Sequence, residues 1–257
     1  MISKNQIKGI RQLEQKKHRQ AAGLFVAEGP KVVGDLLAKH KASTVVATRK
    51  WLDLHPAPPA ETLLEVDEDE LRRVSFLQHP QQVLATFPLP SSTMETTPST
   101  PPATGKLSLA LDGVQDPGNV GTIIRIADWF GVDTIYCSRD TADAYSPKVV
   151  QATMGSIARV RMIYTDLCTL IDHLPQGTPV YGTLLDGDDL YTTPLLPHGL
   201  LIMGNEGNGI SDEVASRLTH RLLIPAYPDS HDTADSLNVA IATAVCCAEM
   251  RRRQRMG

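Results

Sequence analysis

From Leu107 onward the chain repeats one alternation. Six apolar runs of strand length, LSLALDG, DTIYCS, ARVRMIY, PVYGTLL, GLLIMG and RLLIPA, are separated by stretches of helical character that begin near Gly118, Lys148, Thr165, Ser211 and Ser236. A strand that is followed by a helix before the next strand has the crossover a parallel pair needs, and strands this uniformly apolar are buried on both faces. The pattern therefore predicts a parallel sheet with helices on both sides. In open sheets of that kind, ligands collect beyond the carboxyl ends of the strands, so the residues just after each strand become the candidates for function.

Three of those loops have unusual compositions: DGVQDPGNVGTIIRIA (112 to 127), MGNEGNGIS (203 to 211) and IPAYPDSHDTADSLNVA (224 to 240). In the first, Pro117 and Gly118 precede a helix whose free N–H groups and positive end suit an anion or an oxygen-rich ligand. No Gly-Lys-Ser/Thr follows, so it is not a phosphate-binding P-loop. On that helix Val120, Ile123, Ile124, Ala127 and Phe130 mark the buried face and leave Thr122, Arg125 and Trp129 elsewhere. Arg125 by itself reads equally as a solvated helical arginine. In the second loop, Gly204 lets a backbone or flat ligand approach the strand end, while Gly207 and Gly209 permit conformations closed to other residues. An ordinary turn leading to an N-cap at Ser211 is the competing reading. The order Gly-x-x-Gly-x-Gly and its late position are wrong for a dinucleotide fingerprint. In the third, Ser236 is a candidate N-cap for a last helix with Leu237, Ala240, Ile241, Ala244, Val245 and Ala248 as its apolar stripe, and the small residues at 240, 244 and 248 suit close helix packing in a core or between subunits.

The first half alternates helical and strand patterns as well, in IKGIRQLEQKKHRQ, LFVAEG, PKVVGDLLAKH, STVVAT, DELRRVSFL and QQVLATF, which predicts a small three-layer α/β domain. Residues 49 to 66 carry little pattern. FPLPSSTMETTPSTPPATGK, 87 to 106, is rich in Pro, Ser and Thr and poor in core-forming residues, as a linker is. The division predicted is a domain at 1–88, a linker at 89–105 and a second domain at 106–257. Net charge is only −4, yet Lys4, Lys8, Arg11, Lys16, Lys17 and Arg19 cluster near the start against Glu14 alone, and Arg251, Arg252, Arg253 and Arg255 lie near the end. Each cluster is either a solvated face, with the later one also suited to a helix C-terminus, or a local basic patch of the kind that binds nucleic acid. The four cysteines, 137, 168, 246 and 247, have neither zinc nor disulfide spacing. That, and the absence of a secretory-type or membrane-length apolar run, points to a cytoplasmic protein with reduced thiols and no metal site.

Taken in order, GNVGTIIRIA, LLIMGNEGNGIS and LLIPA…SLNVAIATA resemble the three signature motifs of the SpoU/TrmH-type RNA ribose 2'-O-methyltransferases of the SPOUT superfamily. IRQLEQKKHRQAAGLFVAEGPKVVGDLL is similar to the ribosomal-protein-like substrate-binding domain that precedes the catalytic domain in many members. The resemblance implies a parallel-sheet catalytic domain with a deep trefoil knot, S-adenosyl-L-methionine as cofactor, a homodimer joined through the catalytic domain, and ribosomal or transfer RNA as partner, with neither DNA nor a membrane involved. It implies that Arg125 is the catalytic arginine and that Asn119, Glu206, Ser236 and Asn238 shape the site around it. It assigns cofactor contacts to Met203, Gly204, Asn205, Glu206, Gly207, Ile224, Pro225, Ser236, Leu237 and Asn238, and further to Thr183 and Leu184. RNA affinity falls to the N-terminal domain and to Lys4, Lys8, Arg11, Lys16, Lys17 and Arg19. The chain departs from the family between Pro225 and Ser236, where AYPDSHDTAD is longer than usual. The competing reading is a non-catalytic RNA-binding factor that keeps the fold.

Overall fold

The computed structural model describes residues 2–90, 105–227 and 234–256. Nearly all of the expected linker, and the middle of the lengthened 226–235 segment, lie outside the described residues. Two compact units are present, the first formed by the N-terminal residues together with Asp143–Arg159, the second by the other C-terminal residues.

In the first unit, α1 (Lys4–Gln12) and α2 (Lys16–Ala22) lead into β1 (Leu24–Glu28), α3 (Pro30–Leu37), β2 (Ala42–Thr48), α4 (Arg49–Leu54), β3 (Ala60–Val66), α5 (Glu68–Val74) and β4 (Val83–Pro88). The sheet runs β1-β4-β2-β3, with β2 and β3 parallel and β4 antiparallel to both β1 and β2. Local chemistry sets several boundaries. Ser3 with Gln6 and Asp67 with Glu70 form capping boxes at the starts of α1 and α5, and Gly23 ends α2 in the left-handed conformation (φ 64°). The weakly patterned stretch 49 to 66 turns out to hold α4 and β3. β3 is an edge strand with most side chains exposed, so no apolar alternation was needed to form it.

The second unit contains β5 (Leu107–Asp112), α6 (Pro117–Trp129), β6 (Thr134–Cys137), β7 (Arg161–Tyr164), α8 (Leu167–Asp172), β8 (Val180–Asp189), β9 (Gly199–Gly204), α9 (Asp212–Ala215), β10 (His220–Leu223) and α10 (Val239–Met256). Its six strands are ordered β10-β8-β9-β5-β6-β7 and all pairs are parallel. The α/β class and parallel sheet are as the alternation predicts. β5 and β9 lie at the centre and are buried along nearly their whole length. Their register sets Asp112 beside Gly204, so the first two of the polar loops leave the sheet side by side.

The second predicted helix in this half, α7 (Pro147–Ala152), belongs to the first unit. It packs on β1, and the Tyr145 ring just before it sits 5.1 Å from that of Phe25. Asp143 pairs with Arg19 at 2.5 Å, and Arg159 with Asp35 at 2.9 Å. A Cβ on Gly155 would lie 2.5 Å from an oxygen of Asp35, so only glycine lets the segment approach α3 this closely. No helix among the described residues is long and apolar enough to cross a membrane.

Candidate active site

The β5–α6 loop begins with Asp112 and with Gly113, whose φ of 71° is a glycine conformation. Asp116 then caps α6 by accepting from the Asn119 amide at 2.8 Å. Gly118 makes room for that cap, since a Cβ there would stand 2.9 Å from the Asp116 carboxylate. As the helical spacing predicts, Val120, Ile123, Ile124 and Ala127 are buried while Arg125 and Trp129 are exposed; Phe130 is only half-buried. Among the described residues Arg125 has no hydrogen-bond or ion-pair partner, which leaves its guanidinium free for a ligand.

The loop after β9 is a closed turn. Asn205 and Gly209 exchange backbone hydrogen bonds at 2.8 and 2.9 Å. The Asn205 side chain accepts from Gly207 N and Asn208 N at 2.9 and 3.0 Å and donates to Gly113 O at 2.6 Å. Gly204 is required by this turn itself: a Cβ there would lie 2.3 Å from the Gly209 carbonyl carbon and 2.4 Å from Ile210 N. Of the two uses expected for that glycine, close approach of another backbone is the one seen here: the loop's own backbone fills the space a Cβ would take. The turn leaves Glu206 pointing out, where it accepts from Asn119 Nδ2 at 2.8 Å.

The last loop completes the cluster. Asn238 Nδ2 donates to Asn119 Oδ1 at 2.9 Å, and Asn238 Oδ1 accepts from Ala240 N and Ile241 N at 3.0 and 3.3 Å. Asn238 is therefore the N-cap of α10, in place of the expected Ser236, which is exposed outside the helix. Asparagine caps at least as well as serine, and here its amide group also has Asn119 to bond. The predicted stripe on α10 shifts with the helix start. The buried side chains are Val239, Ala240, Thr243, Cys246, Cys247, Glu249 and Met250, whereas Leu237, Ile241 and Ala248 are exposed.

Glu206, Asn119 and Asn238 thus form a hydrogen-bonded chain through three loops that are far apart in sequence. Of the residues assigned to the cofactor, Met203 has its side chain in the core, where its sulfur receives a weak contact from Thr183 Oγ1 at 3.9 Å; only its backbone can face a ligand. Thr183, Leu184, Ile224 and Pro225 are half-buried, and Leu237 is half exposed. Apolar side chains mixed with loop backbone suit the adenosine and methionine parts of S-adenosylmethionine, and the Glu206 carboxylate suits its cationic sulfonium. These residues fit that cofactor. Asp112 and Asp116 were missed in the sequence, although an Asp directly before Pro-Gly is a legible N-cap signal; Ser211 was read only as a helix cap.

The basic clusters divide. Lys4, Lys8, Lys16 and Lys17 are exposed. Arg11 bonds to the Ser75 carbonyl and lies over the Phe76 ring, 4.7 Å from its centroid. Arg19 is 3% exposed, bonded to Leu13 O and Glu14 O at 2.7 and 2.6 Å and paired with Asp143. Its assignment to RNA is corrected: a guanidinium committed to the core cannot reach phosphate. Arg251 caps α6 through Phe130 O, and Arg253 bonds Leu190 O and Tyr191 O, so these two are structural as well. A cavity of about 890 Å³ opens in the first unit at the ends of β2 and β3. Glu65, Asp67, Glu68 and Glu70 outweigh Arg49, Lys50 and Arg72 in its lining, which makes it a poor phosphate site.

Fold, loops and polar chain together define a SPOUT-like RNA methyltransferase with a separate substrate-binding domain. Residues 106–248 match the SpoU rRNA methylase family and residues 4–85 the MRM3-like substrate binding domain. The chain belongs to the SpoU rRNA methylase family, whose members are S-adenosylmethionine-dependent RNA 2'-O-methyltransferases. It is 32% identical to the 23S rRNA (guanosine(2553)-2'-O)-methyltransferase of Bacillus subtilis, over 97% of each chain. Among solved structures it is similar to a TrmH-family protein of Porphyromonas gingivalis, at 44% identity and a TM-score of 0.86, covering 98% of this chain and 99% of that one. It is also similar to an S-adenosylmethionine-bound rRNA methyltransferase of Sinorhizobium meliloti, at 33% identity and 0.83, covering 98% and 97%.

Proposed function

We propose that this protein methylates the ribose 2'-hydroxyl of a guanosine in large-subunit ribosomal RNA, in the cytoplasm and as a homodimer. The observation that carries the reading is the Glu206–Asn119–Asn238 chain, which ties the three signature loops together beside α6, where Arg125 is unpaired. The guanosine and the ribosomal RNA are suggested by the Bacillus subtilis relative, which matches this chain from end to end. Support for the homodimer is the exposed apolar surface of the second unit, Trp129 at 85% and Ile241 at 54%, on two helices that pack together. The trefoil knot implied by the resemblance belongs to the same reading.

S-adenosylmethionine supplies an electrophilic methyl group, so the protein's task is to orient a weak nucleophile and the groups around it. Arg125 acts by holding the ribose or a neighbouring phosphate through its fork of N–H donors, not as a base. Asn119 is held by Asp116, Glu206 and Asn238 and presents a fixed amide at the helix start. Glu206 keeps one oxygen on Asn119 and has the other for a ligand donor. Thr183, Leu184, Ile224, Pro225 and Leu237 shape the cofactor's apolar rim. Lys4, Lys8, Lys16 and Lys17 draw RNA to the first unit through salt-sensitive phosphate contacts.

The test is incubation with methyl-labelled S-adenosylmethionine and unmodified 23S rRNA, then digestion to nucleosides. Labelled 2'-O-methylguanosine is the expected product. Label on another nucleoside overturns the guanosine assignment, and cofactor binding without transfer to any RNA favours the non-catalytic RNA-binding factor.

A further inference from the structure

Glu206 sits on a turn that is fastened to the sheet at both ends by two consecutive residues. At the near end, Asn205 donates to Gly113 O at 2.6 Å. At the far end, a single oxygen of Asp112, Oδ2, accepts from both Ser211 N and Ser211 Oγ, each at 2.8 Å. Asp112 is the last residue of β5 and the register partner of Gly204, so the turn leaves the sheet next to it and returns to it seven residues later. Gly113 is fixed in turn: its N–H donates to Ser138 Oγ at 2.8 Å, and that hydroxyl donates to Asp140 at 2.6 Å.

We propose that Asp112 is a positioning residue for methyl transfer, closing the 204–211 turn onto β5 so that Glu206 is held against Asn119 before any ligand arrives. The inference rests on the reading of Glu206 and Asn119 as part of the reaction site. A charged acceptor taking two hydrogen bonds is worth more than a neutral one. The Asn205–Gly209 backbone bridge closes the turn internally but does not attach it to the sheet. Without Asp112 the Asn205 side chain and the buried Ile210 would be left to make that attachment, and the part of the loop that carries Glu206 would be held less tightly.

The experiment compares Asp112→Ala, Asp112→Asn and Glu206→Ala with the unaltered full chain. It measures amide hydrogen exchange across 204–211, S-adenosylmethionine affinity by calorimetry, and kcat and KM for RNA methylation. Asp112→Ala should speed exchange in the turn while leaving exchange in β5 and β9 unchanged, and should lower kcat at saturating cofactor and RNA about tenfold, the size expected for losing one charged hydrogen-bond acceptor. Asp112→Asn keeps one acceptor oxygen and should recover part of kcat. Faster turn exchange with normal kcat, or slow kcat with unaltered turn exchange, would overturn the inference. Glu206→Ala separates the two levels. Loss of transfer in that variant beside normal transfer in Asp112→Ala defeats the positioning role alone, and full transfer in both defeats the site reading as well.

Discussion

Arg125 and Asn119 occupy the same helix but meet different fates in the fold. Asn119 is held on three sides, by its own backbone bond to Asp116 and by Glu206 and Asn238, whereas Arg125 is exposed and free among the described residues. A pre-arranged amide and a free cation are what an orienting site for a hydroxyl and a phosphate requires. Arg125→Ala should therefore lower kcat for RNA methylation by about a hundredfold or more, the scale of losing one group that stabilises developing charge, while calorimetric affinity for S-adenosylmethionine changes little. An equal loss of cofactor affinity would place Arg125 in the cofactor site instead. Periodicity alone made the exposure of Arg125 legible, because the helix's apolar positions leave it no other face. The partners of Asn119 were not legible, since hydrogen bonds between residues 87 and 119 positions apart leave no trace in local spacing.

The strands and helices followed their local signals closely, and α10 shows where such signals fail. Apolar spacing put its stripe on Leu237, Ala240, Ile241, Ala244, Val245 and Ala248; Ala240 is buried as expected, but the face that packs otherwise carries Val239, Thr243, Cys246, Cys247 and Met250. Both faces of this helix are apolar, so the choice between them belongs to what it packs against. Burial also settles the chemistry of its thiols: the pKa values of Cys246 and Cys247 are pushed up to about 12 by desolvation, so both remain protonated and inert. Its far end is pinned by Glu249, 6% exposed, which accepts from Arg252 at 2.7 Å and from Arg253 at 2.6 Å. The Arg252 bond foremost, with Arg253 adding to it, holds the Glu249 carboxyl down at about 2, against an ordinary 4.5. A depressed carboxylate contributes its stability fully above the unfolded value and loses it as pH falls toward the folded one. The melting temperature of the protein should drop as pH is lowered from about 5 to about 2, and Glu249→Gln should be less stable at pH 7 and show a shallower drop over that window. Parallel pH curves for the two proteins would remove Glu249 as a source of acid sensitivity.

At the level of the whole molecule, the boundary placed at the linker divides the family's two domains, but not the two compact units. The segment Asp143–Arg159, which follows β6 in sequence, is part of the core of the first unit through Arg19, Phe25 and Asp35. The first unit is therefore built from two stretches of the chain that are separated in sequence. Removing the Asp143 carboxylate leaves Arg19 buried with only carbonyl partners, and a buried charge stripped of its counter-ion costs about 3 kcal/mol. Asp143→Ala in the full chain should lower unfolding stability by about that amount, as read from urea denaturation. A change within about 0.5 kcal/mol, the range of ordinary surface substitutions, would show that the pair is solvated.

The sequence by itself determined the class of fold, the location of nine of the ten described strands and most helices, and the three loops proposed to carry the chemistry. Each of these depends on interactions within a few residues or on a single buried face, and those leave periodic or compositional signals. Only the tertiary structure decided that Glu206, Asn119 and Asn238 bond in one chain, that Gly204 serves its own turn, that Asn238 and not Ser236 caps α10, and that Arg19 is a core residue. These outcomes rest on contacts between segments distant in sequence, where a polar side chain's role is set by which partner the fold brings to it and by how much water that partner excludes.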